Sequence, residues 1–173
     1  MKLSYVIRGL PGHPLHPPLT GATIGMYTFA AIAAVFDAFG WSDTTAAHGW
    51  WLALLTGLAF TVPTALTGLA DWLTITRGTE LWKTATSHLV AMVSATVCFG
   101  LAALTGHDDW QVGSVHGFPF VMTLLGFAVL TLGGWLGGAI VFTHGMRVLN
   151  LVDEPSTRAV APVPYPEKEQ AEA

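Results

Sequence analysis

Four long apolar segments divide the chain, at residues 20–39, 48–72, 84–104 and 118–142, with short polar stretches between them. Each is long enough to cross a bilayer as a helix, since twenty residues rise about 30 Å, the thickness of a hydrocarbon core. Pro63 lies inside the second segment. In lipid such a proline is tolerated where neighbouring helices re-satisfy the freed carbonyl, and it predicts a kink. The short connections make consecutive helices antiparallel neighbours. The pattern thus predicts an all-α membrane protein, a four-transmembrane-helix antiparallel bundle over residues 20–150. Residues 1–19 precede it as an N-terminal segment. Residues 151–173, rich in Pro, Glu and Ala, read as a disordered tail. No internal repeat is evident, although each span has a histidine near one end.

Composition agrees with the pattern. Of 173 residues, 52% are hydrophobic and 10% charged, against about 25% charged in a soluble domain; mean hydropathy is +0.54. The single Cys98 rules out an intramolecular disulfide framework and a Cys-rich zinc or iron–sulfur site, and reads as a small apolar filler. No basic groove with interleaved aromatics is present, so the expected partner is the lipid bilayer and not nucleic acid. The apolar segment after Lys2 and Arg8 is too long for a signal peptide and lacks a small-residue cleavage site, so it reads as the first span.

The basic residues fix an orientation. Lys2 and Arg8 precede the first span, Arg77 and Lys83 lie between the second and third, and Arg147, Arg158 and Lys168 follow the fourth. The loops at 40–47 and 105–117 hold no Lys or Arg, only Asp43, Asp108 and Asp109. The positive-inside rule then places both termini in the cytoplasm. Trp41, Trp50, Trp51 and Trp110 mark the outer interface, and Trp72 and Trp82 the inner one.

This topology sorts the histidines into two layers. His13, His16, His88 and His144 fall on the inner side with Asp71. His48, His107 and His116 fall on the outer side with Asp37 and the loop aspartates. His13 and His16 each precede a proline, which favours extended backbone, while Pro17 and Pro18 suit the first turn of a helix. Ionisable groups in membrane spans usually face the bundle interior or pair with one another. Imidazoles contributed by several helices suit a transition metal, with Asp71 orienting a ligating ring, or the axial positions of a haem b. The plainer reading is that all five groups are half-wet at the interface, with Asp71 paired to Arg77. Span four carries Gly133-Gly134-Trp135-Leu136-Gly137-Gly138. Its glycines either admit a close helix, with Gly21-xxx-Gly25 or a second copy as partner, or clear room for a flat cofactor. No nucleophile–base–acid set, phosphate loop or His-Glu-x-x-His helix appears, so no side-chain catalysis is expected.

Several boxes together resemble a bacterial family of four-helix membrane proteins, the domain of unknown function 2231. They are Gly12-His13-Pro14-Leu15-His16-Pro17, Phe36-Asp37, Gly68-Leu69-Ala70-Asp71-Trp72, Arg77-Gly78-Thr79, His88, and Gly134-Trp135-Leu136-Gly137-Gly138 with His144-Gly145. The resemblance covers residues 9–150 and implies the four-span fold in a bacterial cytoplasmic membrane. It also implies that the inner-layer residues belong to the family pattern. Relatives joined to Rieske or cytochrome modules imply an electron-transfer setting with a redox partner protein. The functional expectation is a His-coordinated haem- or metal-binding subunit; the alternative is an accessory scaffold without a cofactor.

Overall fold

The computed structural model describes residues 3–149, together with Pro155, Ala161 and Pro162. The tail expected to be disordered otherwise lies outside the described residues. In chain order the elements are α1 (Leu3–Arg8), β1 (Gly9–Leu10), β2 (His13–Pro14), α2 (His16–Ala38), α3 (Thr45–Trp72), α4 (Glu80–Thr105), α5 (His107–Val112) and α6 (Gly117–Phe142). Helices α2, α3, α4 and α6 are long and apolar enough to cross a membrane. They are the four predicted spans, each starting one to four residues ahead of its apolar segment. Helix α4 starts at Glu80, for example, because the Thr79 hydroxyl accepts the Trp82 amide at 3.1 Å.

The first boundary differs most from expectation. Only His13 and Pro14 are extended, pairing with Gly9 and Leu10 in a short antiparallel ladder. Gly9 has φ +82°, and a Cβ there would collide with the His13 carbonyl, so the turn requires glycine. His16 is not on extended backbone: it opens α2, with the following prolines in the first turn. Helices α1 and α5, six residues each, were not foreseen.

Helix α2 packs on α3 and α4 on α6, making two antiparallel hairpins set side by side. Small side chains permit the approach: Ala30, Ala34, Ala47, Ala53, Ala95 and Ala102 are all buried. Tyr27, Trp50, Leu54 and Phe99 fill the space between them. This core occupies the half of the bundle nearer the α2–α3 turn. Trp50, expected at the outer interface, belongs to it. It is fully buried, and its indole N–H donates to the Thr123 hydroxyl at 2.9 Å; a buried indole needs such an acceptor. Trp51 and Trp110 do stack at that end, with centroids 4.6 Å apart. Asp37 closes the end of α2 onto the α5–α6 connection, accepting the Val115 amide at 2.6 Å.

At the opposite end, Asp71 is the tie. Its Oδ1 lies 2.8 Å from Arg8 Nε and 3.8 Å from Arg147 Nε. Arg8 also donates to Thr74 Oγ1 at 3.2 Å, and Arg147 donates to the Arg8 carbonyl. One buried carboxylate therefore joins α1, the last turn of α3 and the segment after α6. The expected partner Arg77 is not the one used.

Two expectations follow. Trp50→Phe and Thr123→Val should each lower stability by about 1 kcal/mol, and the double variant by little more, because both delete one hydrogen bond; thermal unfolding in mild detergent measures this. Asp71→Ala should cost about 2–3 kcal/mol in the same assay, since it removes the buried carboxylate that Arg8 and Arg147 share, whereas Arg77→Ala should change nothing.

Candidate functional site

The core leaves the other half of the bundle hollow. Between the two hairpins, next to the Asp71 tie, lies a cavity of about 450 Å³, within the range of cofactor sites. The void exists because the helices meet there through glycines and threonines: Thr20, Thr64, Gly68, Gly134, Gly137 and Gly138 all line it. Ile24, Leu89, Met92 and Val141 supply apolar walls. The ionisable groups on the wall are His16, His88, Asp71, Arg147 and the Tyr27 phenol.

His16 projects from the first turn of α2 toward α3. Its Nδ1 lies 3.0 Å from the Thr64 carbonyl and 3.2 Å from Thr67 Oγ1. A carbonyl only accepts, so Nδ1 carries the ring proton and Nε2 the lone pair. Thr20 Oγ1 is 3.4 Å from Nε2, but its proton goes to the His16 carbonyl at 2.8 Å. The ring fits because residue 68 is glycine; a Cβ there would stand 2.6 Å from the imidazole Cε1. His88, in the third turn of α4, is held in the same way by α6. Its Nδ1 donates to the Gly133 carbonyl at 2.7 Å, and a Cβ on Gly137 would stand 3.2 Å from its Cε1. No protein group among the described residues hydrogen-bonds its Nε2.

The other expected site residues lie elsewhere. His13 sits in the short ladder, its Nδ1 3.4 Å from the Pro11 carbonyl. His144 ties the end of α6 to the start of α4, its Nε2 3.1 Å from Thr84 Oγ1. Neither lines the cavity. Among the described residues, no group of three or more His, Cys, Asp or Glu side chains is placed to hold a metal ion. Of the five inner-layer residues, the structure thus gathers His16, His88 and Asp71. The outer histidines His48, His107 and His116 are exposed; the first two lie against Trp110, and His116 is 3.7 Å from Asp109.

Sequence reasoning missed the groups that seat the two rings: Thr64, Gly68, Gly133 and Gly137. The only signal was the glycine run of span four, and its members divide the labour. Gly133 receives Met92 and Gly137 receives His88, while Gly134 and Gly138 open onto the cavity. Among the described residues, nothing lies within 4 Å of where a Cβ on Gly21 or Gly25 would stand.

The arrangement offers two fixed imidazole lone pairs to one apolar space. That is a donor set for a transition metal or haem iron. No curated protein and no solved structure matches the chain. A family model does match, over residues 12–150, and its description is that of a predicted membrane protein. With four candidate spans and that match over most of its length, the chain belongs to the domain of unknown function 2231 family of membrane proteins.

Proposed function

We propose that this multi-pass membrane protein is a cofactor-holding subunit in electron transfer, binding a haem or a transition metal through His16 and His88. One observation carries the reading: imidazoles from different hairpins both anchor Nδ1–H on a backbone carbonyl and leave Nε2 for a common cavity. Ligating histidines are held in this way, because a fixed acceptor sets the tautomer, aims the lone pair and raises its basicity. An iron or copper so held would pass electrons one at a time. The protein's own contribution is to orient the two rings, line the space with apolar walls, and set the Asp71 tie to Arg8 and Arg147 beside it. Asp71 acts here through its charge, since its Oδ1 is engaged by arginine. The cavity lies at the end that the positive-inside rule assigns to the cytoplasm.

A second reading has its own support. In lipid, an imidazole N–H donated to a neighbouring helix's carbonyl is itself a staple between helices, and both rings make that bond. A scaffold would need nothing more.

Asparagine separates the two, because its amide nitrogen stands near the position of Nδ1 while Nε2 has no equivalent. In the purified protein, from cells supplied with haem and metals, a visible absorption band or a stoichiometric metal is expected. His16→Asn and His88→Asn should each lose that signal by tenfold or more while remaining monodisperse in detergent. A colourless, metal-free wild-type preparation would overturn the cofactor reading and leave the staple.

A further inference from the structure

The two hairpins repeat each other. His16 of α2 lies over Gly68 of α3 and reaches the Thr64 carbonyl; His88 of α4 lies over Gly137 of α6 and reaches the Gly133 carbonyl. Eleven residues along the first helix of each pair, Tyr27 lies over Gly57 and Phe99 over Gly126. Eleven residues make three helical turns, so both contacts fall on one face. A shift of 72 positions carries His16 to His88 and Tyr27 to Phe99. A shift of 69 carries Gly57, Thr64 and Gly68 to Gly126, Gly133 and Gly137. Burial obeys the same shift: residues 23–31 and 95–103 match position for position as buried, half-buried or exposed.

Tyr27 and Phe99, equivalent under this shift, stack on each other with centroids 3.9 Å apart and planes 6° from parallel. Contact between equivalent positions marks a two-fold axis. Both hairpins start at the same end, so the axis runs along the bundle, and the cavity lies along it between the two halves.

We infer that the cavity consists of two copies of one half-site and takes a single planar metal macrocycle of the haem type, gripped by His16 on one face and His88 on the other. This rests on the cofactor reading above and narrows it. Protein-held zinc and non-haem iron sites draw three or four ligands from the chain, but two-fold halves contribute one imidazole each, and the described residues place no third His, Cys, Asp or Glu to complete a set. A metal that brings its other ligands with it, as the four nitrogens of a porphyrin do, fits this pair better than a bare ion. A cavity of about 450 Å³ is also far larger than an ion requires.

The test titrates the full-length protein in detergent with haemin and reads absorbance and electron spin resonance. One haemin per chain, low-spin and six-coordinate, is expected. His16→Ala and His88→Ala should each convert it to a high-spin form to the same degree, and free imidazole should restore the low-spin form in both. His13→Ala and His144→Ala should leave the spectrum unchanged. Should an alanine variant fail to accumulate, the asparagine variant is read in its place. A spectrum insensitive to one of the two histidines, or two haemins per chain, overturns the inference. If haemin does not bind but the isolated protein carries a stoichiometric metal, this inference fails and the cofactor reading stands. If neither binds, both fail.

Discussion

Inside a bilayer a polar group finds no water, so every donor in the bundle must meet an acceptor supplied by the protein. That constraint organises most of what is specific about this fold. The hydroxyls of Thr23, Thr61, Thr64 and Thr67 all donate to a carbonyl one turn earlier in their own helix. Trp50 donates across the core to Thr123. The imidazoles of His16 and His88 have no such option within their own helix, and each donates to a carbonyl of the adjacent one. Satisfying Nδ1 in this way fixes the tautomer, and the fixed tautomer decides what the cavity can bind. Helix cohesion and ligand chemistry are thus consequences of the same hydrogen bond.

The bundle is unevenly packed. On one side of the Tyr27–Phe99 pair, buried alanines bring the helices together; on the other, glycines and threonines leave a void. Glycine serves two purposes in that second half. At 68 and 137 it makes room for an imidazole ring, and at 134 and 138 it leaves space that no described side chain takes up. The hairpins also differ in polarity where they correspond: Thr61, Thr67 and Asp71 stand opposite Leu130, Leu136 and Ile140 in the repeat. The two halves of the site are alike in their histidines and unlike in their surroundings.

The spans were legible because twenty apolar residues have few alternatives in water or lipid; the two prolines pointed to a first turn, but the apolar run did not show that α2 starts at His16, four residues ahead of it. Asp71 was recognisable as important, but its partners were not. Arg8 and Arg147 are distant in sequence, and nearby Arg77 was the natural guess. Trp50 resembled its neighbour Trp51 in every sequence property; only the helix face separates a core indole from an interfacial one. The repeat escaped notice because its halves share geometry more than letters: Thr64 and Gly133 contribute a backbone carbonyl, which any residue type supplies. A cavity is still harder to read, since it consists of what side chains leave out.

Asp71 sits near the middle of the chain, with Arg8 far upstream and Arg147 far downstream. In a chain threaded into the bilayer from its N-terminus, the aspartate is in place long before the second arginine emerges. Until the last span is seated, the carboxylate holds only one of its two counter-charges. The full ionic knot can form only on a completely inserted chain, so it is the last of these polar contacts to close.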